Sequence, residues 1–256
     1  MNSIYLLLIS FAALSAEAPL EPPNLQQIGM KVWQNECRGT VDGLITWNAH
    51  EEFPSLGIGH FIWHPEGISS PFEQTFPHLI EFITTKIKDT ERTVPSWIKS
   101  KKGFPWKSRE EFQKEIRNPK VTQLRQFLSD TLDLQTLFLL ERFKIAEEKL
   151  ALILTDSQKL ALEKLKNTSQ GAYALIDYIN FKGTGLALNE QYRGEGWGLL
   201  QVLQNLPESI QENKLLAEFV TSAKKVLARR VHNAPLHRKE EQWLNGWYKR
   251  VETYLK

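Results

Sequence analysis

The chain has 256 residues, of which 41% are hydrophobic and 24% are charged, as is typical of a soluble globular protein. With 14 glycines, 12 prolines and no long single-residue tract, disordered, low-complexity and collagen-like classes are excluded. The single cysteine, Cys37, excludes an intramolecular disulfide framework and a zinc ribbon. The formal net charge of +2 is small for this length, so no nucleic-acid partner is expected.

The first eighteen residues have the features of a secretory signal peptide. Residues 4–14 form an apolar run, and Ala16-Glu17-Ala18 has the small-x-small form of a cleavage site. The run is shorter than the roughly 20 apolar residues that span a bilayer. We therefore expect residues 1–18 to be removed, with no integral membrane span in the rest, and an uncleaved anchor is the alternative interpretation. The mature chain, residues 19–256, is expected to fold as one domain and to be periplasmic or secreted.

A first helix is predicted after a proline-rich leader, with Asn24 as its cap and Gly39 as its end. Ile28 and Val32 follow one apolar stripe, and Glu36 falls on the same stripe. Burial and the negative end of the helix dipole would both keep this carboxyl group protonated. A neutral carboxylic acid can act as general acid toward a glycosidic oxygen. A salt bridge from Glu36 to a nearby arginine or lysine is the alternative interpretation.

Short strands and turns are predicted between residues 44 and 63. The pattern Leu56-Gly57-Ile58-Gly59-His60 predicts a strand whose two faces differ, with large side chains on one face and bare glycines on the other. Because glycine has no side chain, a ligand is expected to approach the bare face closely.

Most of the remaining chain has helical periodicity, with apolar residues at spacings of three and four in residues 79–87, 124–154 and 215–231. Residues 95–106, with the sequence PSWIKSKKGFPW, lack this periodicity and are predicted to be a surface loop or insertion. A small sheet followed by many helices predicts an α+β fold with one helical lobe.

One segment resembles a known family. The sequence from Trp33 to Trp63, WQNECRGTVDGLITWNAHEEFPSLGIGHFIW, is similar to the catalytic segment of lysozyme-like muramidases, most closely the phage-type lysozymes. In that family a glutamate ends the first helix, a short hairpin follows, and a Gly-Ile-Gly-His strand lines the sugar cleft. The glutamate matches Glu36 and the strand matches residues 57–60. Residues 177–185 resemble the family's later glycine turn. Residues 197–201 resemble the Gly-Leu-Met-Gln sequence of lytic transglycosylases and goose-type lysozymes.

The resemblance covers about a third of the chain. It implies a lysozyme-like α+β fold, with a small antiparallel sheet or hairpin lobe and a larger helical lobe. It also implies a muramidase that cuts the β-1,4 bond between N-acetylmuramic acid and N-acetylglucosamine in peptidoglycan. The expected partner is the glycan strand, and a monomer with no cofactor and no metal site is expected.

The chain departs from the phage pattern in the hairpin. Gly57 follows Glu36 by 21 residues, about four more than in the family, so a longer or bulged hairpin is expected. The aspartate that the family places in this hairpin would fall at Ala49, which leaves the aligned position without a carboxylate.

Asp42, Glu51 and Glu52 are the candidates for a second carboxylate. If the stretch is extended, only one of Glu51 and Glu52 can face the cleft. With one of them as base, an inverting hydrolase needs roughly 6.5 to 9.5 Å between the carboxyl groups, enough for one water. If neither reaches, Glu36 alone would act as acid and then base, with the 6-hydroxyl of the sugar as nucleophile, which is the lytic-transglycosylase outcome. Ser55 matches the hydroxyl residue that would hold a water opposite the acid.

Five residues are predicted to bind substrate: Gly57, Gly59, His60, Trp47 and Asn180. The glycines would form the sugar platform, Trp47 would stack on a pyranose ring, and Asn180 would hydrogen-bond an acetamido group from the glycine turn. For His60, a packed role with an Asp or Glu partner across the lobe is the alternative. The other tryptophans considered for stacking are Trp63, Trp97, Trp106 and Trp197.

Other functions remain open at this point. Cys37 beside Glu36 permits a thiol hydrolase of the kind that cuts cell-wall peptides. Residues 221–256 carry nine Lys or Arg against three Glu, which suits anionic peptidoglycan, lipid headgroups or DNA, or else a solvated helix face. A catalytically silent wall-binding protein and an inhibitor or scaffold that uses this basic region are the non-enzymatic alternatives. A preference for glycan altered in its acetyl groups would arise in the longer hairpin or in residues 95–106.

Overall fold

The computed structural model describes residues 25–49, 51–68, 73–88, 92–99 and 102–256. Of these residues 63% are helical, and a small three-stranded antiparallel sheet accompanies the helices. The structure is therefore compatible with the predicted α+β class. The predicted signal peptide and the predicted cap at Asn24 lie outside the described residues.

Helices are found in each region where the sequence has helical periodicity, and also between those regions. They are α1 (Leu25–Cys37), α2 (Thr75–Lys86), α3 (Ser96–Lys99), α4 (Arg109–Lys114), α5 (Pro119–Asp130), α6 (Leu132–Ala151), α7 (Asp156–Lys166), α8 (Ser169–Lys182), α9 (Leu199–Gln204), α10 (Leu215–Asn233) and α11 (Glu241–Glu252). Short 3-10 turns occur at Asp42–Leu44, Glu212–Lys214, Leu236–Arg238 and Thr253–Leu255. Among the described helices, none combines the length and apolar character that crossing a bilayer requires.

The first helix ends as the sequence predicts. Ile28 and Val32 are buried on one face of α1, and Glu36 lies in its last turn. Arg38 and Gly39 both have positive φ angles, 56° and 65°, which stop the helix and turn the chain. Glu36 therefore projects from the last turn of a helix whose apolar face is anchored in the core.

The sheet consists of three two-residue strands, β1 (Ile45–Thr46), β2 (Ser55–Leu56) and β3 (Phe61–Ile62), in that spatial order. Residue 45 pairs with 56, and 56 pairs with 61. A second hairpin joins β4 (Gln191–Tyr192) and β5 (Glu195–Gly196) beside the helical lobe.

The predicted strand over residues 56–60 is wrong. Residues 57–60 form the turn between β2 and β3, in which Gly57 and His60 have φ angles of 68° and 49°. A Cβ on Gly57 would lie 2.3 Å from Oε1 of Gln135, and one on Gly59 would lie 2.5 Å from the ring of Phe61. The glycines are required because the turn and these neighbours leave no room for a side chain, so the predicted strand face that carries both glycines does not form.

The described part of residues 95–106 packs into the protein and is not a surface loop. Ile98, Phe104 and Trp106 are buried, and the backbone N–H of Phe104 donates to the carbonyl of His64 at 2.9 Å. The ring of Phe104 contacts Trp63 edge to face, which joins the segment to the sheet. Aromatic burial here outweighs the segment's lack of periodicity.

The larger lobe is helical. In this lobe α6 and α8 pack against each other, α1 packs against both of them, and α10 packs against α11. Side-chain caps begin several of these helices: Thr155 forms a capping box with Gln158 at α7, and Thr168 accepts the backbone N–H of Gly171 at α8. The arrangement brings the last turns of α1 and α8 next to α11.

Candidate functional site

A cavity of about 780 Å³ lies where the sheet meets the helical lobe, and we call it the central cleft. Its sheet wall is formed by Asn48, Glu51, Glu52, Phe53, Ser55, Gly59, His60 and Ile62. Its helical wall is formed by Asn180, Phe181, Lys182, Asn189, Tyr192, Trp197, Arg230, Arg238, Glu240, Trp243, Trp247 and Arg250. Glu36 lines the same cleft and contacts both walls.

Glu36 is held by three neighbours and its side chain is only 10% exposed. Its Oε1 accepts from Nη2 of Arg250 at 2.5 Å and from Nδ2 of Asn180 at 3.2 Å. Its Oε2 lies 3.2 Å from Nδ1 of His60. One carboxyl oxygen is thus bound by the helical wall, while among the described residues the other has His60 as its hydrogen-bonding neighbour.

Arg250 is itself fixed by a second carboxylate. Asp177, fully buried on α8, accepts from Nε and Nη2 of Arg250 at 2.9 Å each, in a bidentate pair. The hydroxyl of Tyr254 also donates to Asp177, at 2.7 Å. Two carboxylates therefore share one guanidinium, and Asp177 keeps Arg250 pointing at Glu36.

The prediction that Glu36 stays protonated is wrong for the free protein. Burial raises the pKa of Glu36, but Arg250 above all, with His60 and Lys182, outweighs burial and lowers the pKa below its ordinary value. Glu36 is therefore a carboxylate near neutral pH. The alternative interpretation, an ion pair with an arginine, is confirmed.

The candidate second carboxylates separate into two groups. Glu51 and Glu52 both line the central cleft, because the chain bends at residues 52–53 and does not run as an extended strand. Asn48 donates to Oε2 of Glu51 at 3.1 Å. Asp42 lies outside the cleft and pairs with Arg125 at 3.3 Å. The structure thus leaves Glu51 and Glu52 as the carboxylates of the sheet wall.

Ser55, which was predicted to hold a water, lies on β2 and lines the cleft with these two glutamates. His60 also lines the cleft, and its carboxylate partner across the lobe is Glu36. Among the described residues, Nε2 of His60 has no hydrogen-bond partner, although it is buried.

The remaining predicted substrate-binding residues have different outcomes. Asn180 and Gly59 line the central cleft, although Asn180 lies on α8 and not in a glycine turn. Gly57 is not part of the lining. Trp47 is a core residue, packed on Phe104 and donating Nε1 to the carbonyl of Glu51 at 2.8 Å, so the prediction that it stacks on sugar is wrong.

Trp197 is the one tryptophan of the other four considered that lines the cleft. The aromatic residues that the sequence did not single out are Phe53, Phe181, Tyr192, Trp243 and Trp247. Trp243, Trp247 and Arg250 are spaced by four and three on α11, which places them on one face of that helix. This helical spacing of two tryptophans and an arginine was the signal in the sequence that could have predicted their shared position in one site.

The arginines of the helical wall were not predicted individually, although residues 221–256 were noted as basic, and Lys182 falls in the segment 177–185 that resembles the glycine turn. Arg230 makes two hydrogen bonds of 2.8 Å to Glu240 and stacks 4.1 Å from the ring of Trp197. Lys182 lies 3.4 Å from the ring centre of Trp247. Arg230 and Arg250, which belong to the basic region, therefore line the cleft and do not form a solvated helix face.

Cys37 does not have the properties of a nucleophile. The thiol is buried, and its hydrogen-bond partner is the carbonyl of Gly57 at 3.4 Å. Burial, with the charge of Glu36, raises the pKa of Cys37 to about 12, so the thiol is protonated at neutral pH. Within the described ranges, no group of three or more His, Cys, Asp and Glu side chains is placed to hold a metal ion.

The geometry of the central cleft is the basis for assigning a function. Comparisons with protein-family models, with curated proteins and with solved structures find no match to this chain.

Proposed function

We propose that this protein is an exported, monomeric glycosidase of lysozyme-like character that acts in the periplasm or outside the cell. Its substrate is the peptidoglycan glycan strand, and the bond cut is the β-1,4 bond between N-acetylmuramic acid and N-acetylglucosamine. The single observation that supports this most is the position of Glu36. It is a nearly buried carboxyl group in a cleft large enough for several sugar rings, opposite a wall with two further carboxylates.

The two oxygens of Glu36 suit different tasks. Because Oε1 is bound by Arg250 and Asn180, Oε2 is the oxygen left to carry a proton to the glycosidic oxygen. Proton transfer breaks the C–O bond and releases the leaving sugar with a free 4-hydroxyl group. A water oriented by Ser55 attacks the anomeric carbon and gives its proton to Glu51 or Glu52.

Glu36 must gain a proton before this step, since it is ionised in the free protein. A glycan that fills the cleft removes water from Glu36, and loss of water acts in the direction that favours the neutral acid. Each unit of that pKa rise requires about 1.4 kcal/mol of binding free energy. We therefore expect activity to be highest at acidic pH and to fall as pH rises above the pKa of Glu36.

The test is digestion of purified sacculi by the unmodified protein and by Glu36→Gln, which keeps the shape of the side chain. We expect soluble muropeptides with reducing ends from the unmodified protein, and about 10²-fold less from the variant. Asp42→Asn, which changes an exposed carboxylate outside the cleft, is the matched control. Products with anhydro ends would show that the reaction is not hydrolysis but the lytic-transglycosylase reaction, in which Glu36 is the one catalytic carboxylate.

A second candidate is a wall-binding protein without catalysis. The ion pair between Glu36 and Arg250 favours it, because a carboxylate that stays ionised cannot donate a proton. Binding to insoluble peptidoglycan at every pH tested, with no soluble fragment released, would select this candidate and reject the glycosidase.

A further inference from the structure

Lys182 has an unusual environment for a lysine. It is the last residue of α8, only 8% of its surface is exposed, and it lines the central cleft. Its Nζ lies 3.4 Å from the ring centre of Trp247 and 3.9 Å from that of Phe181. Within the described part of the chain, no carboxylate lies within ion-pair distance of this amine. A nearly buried amino group thus lines a cleft without a counterion.

The charges around Lys182 explain why it has no counterion among the described residues. Arg230 and Arg250 approach it from α10 and α11, and both repel its positive charge. Glu240 and Glu36 attract it, but each is already paired with one of those arginines. Burial first, then the two arginines, hold the pKa of Lys182 well below its ordinary value. Apart from the rings of Trp247 and Phe181, the described residues offer this amine no partner, so its counterion would be an anion bound in the cleft.

We infer that Lys182 anchors an anion-binding subsite of the central cleft, which takes a carboxylate carried on or beside a pyranose ring. Trp243, which is 40% exposed on the same wall, offers the aromatic surface for that ring. Arg238, also exposed on this wall, adds a second positive charge. The subsite deepens the proposed function, on which it rests, by naming the carboxylated sugar of the glycan strand as the unit bound there.

Binding of a carboxylate would be coupled to a proton. An anion near Nζ favours the ammonium form, so the amine takes up a proton when the anion enters. The resulting charge-assisted contact should favour a carboxylated sugar over its neutral counterpart by about tenfold or more. The signature is a larger proton uptake with a carboxylated sugar than with a neutral one, because uptake at Glu36 would accompany both.

The probes are disaccharides that lack the bond proposed to be cut. N-acetylglucosaminyl-β-1,4-N-acetylmuramic acid carries a free lactyl carboxylate, while di-N-acetylchitobiose is the same structure without the lactyl group. A third probe carries a dipeptide on the lactyl group, so that its carboxylate comes from the peptide. Calorimetry in two buffers of different ionisation enthalpy, from about pH 6 to about pH 10, measures affinity and proton uptake together.

We expect at least one carboxylated probe to bind about tenfold tighter than chitobiose, with more proton uptake by the protein. A preference for the free lactyl acid assigns the carboxylate to the sugar, and a preference for the dipeptide probe assigns it to the stem peptide. Equal affinity for all three probes, or tighter binding of a carboxylated probe without more proton uptake than chitobiose causes, would overturn the inference.

Lys182→Met and Lys182→Gln should both lose the preference and the additional proton uptake. The matched control is Lys86→Met, since Lys86 on α2 also lies over an aromatic ring, Phe82 at 5.3 Å, but outside the cleft. The result is independent of cleavage. If the sacculi remain undigested while the carboxylate preference holds, the proposed glycosidase fails and the subsite stands.

Discussion

The two walls of the central cleft differ in charge and in how they are built. The sheet wall carries exposed glutamates and a serine within residues 48–62, a single short stretch of chain. The helical wall carries arginines, a lysine and tryptophans from α8, α10 and α11, most of them paired or stacked on each other. Glu36 lies between them and is bonded to the second wall more tightly than to the first. The comparison suggests that the helical wall sets the charge state of Glu36, while the sheet wall supplies the group opposite it.

The largest effect is expected from breaking the buried charge cluster of the helical wall. Arg250→Met keeps an unbranched apolar side chain but removes the guanidinium, which lies 4.1 Å from the ring centre of Phe181, and leaves Asp177 and Glu36 without their common partner. We expect the free energy of unfolding at pH 7 to fall by about 3–5 kcal/mol, as measured by urea denaturation. Arg238→Met, on the same wall but exposed, should change stability by less than about 0.5 kcal/mol. A loss under about 1 kcal/mol for Arg250→Met would show that the cluster does not hold the wall together.

The sheet wall is tested by replacing its glutamates one at a time. If one of them is the base, either Glu51→Gln or Glu52→Gln should lower the rate of sacculus digestion by about 10²-fold, and the other should change it little. Both side chains are exposed, so neither change should lower thermal stability. Full activity in both variants would remove the sheet wall from the chemistry and leave Glu36 as the one carboxylate.

A smaller effect of opposite sign is expected at Lys182. Because its pKa is lowered in the folded protein, the unfolded chain binds more protons below the ordinary lysine pKa, which disfavours folding there. Lys182→Met should therefore raise the free energy of unfolding by about 1 kcal/mol or more at pH 7. That advantage should shrink as pH rises toward about 10, where the unfolded lysine also loses its proton. A destabilised variant at every pH would mean that the ring contacts of Lys182 outweigh its burial.

The sequence predicted well what is local to one short segment. The end of α1 and the positions of Glu36 and Ser55 follow from a segment of about thirty residues. The sequence allowed only one of Glu51 and Glu52 to face the cleft if the stretch were extended, whereas both line it because the chain bends there. The turn at residues 57–60 was mistaken for a strand, because alternating glycines satisfy the period of a strand as well as the positive φ angles of a turn.

The helical wall could not be predicted residue by residue. Arg250 and Glu36 are 214 positions apart, and spacing along the chain carries no information about such a contact. The predicted charge state of Glu36 was wrong for the same reason, since the charge depends on Arg250 and on Asp177, which holds Arg250 in place. Trp47 shows a related limit, because the sequence gives no sign of whether a tryptophan faces the core or the cleft.

The most direct test of the central claim is the pKa of the Glu36 carboxyl group, measured by carbon NMR on the protein labelled at glutamate side chains. Glu36→Gln identifies the signal, and the titration is done with the free protein and with an N-acetylglucosamine–N-acetylmuramic acid oligomer made resistant to cleavage. The proposed mechanism predicts a pKa below the ordinary glutamate value in the free protein and a clear rise in the complex. A pKa that stays low with the oligomer bound would contradict Glu36 as the proton donor.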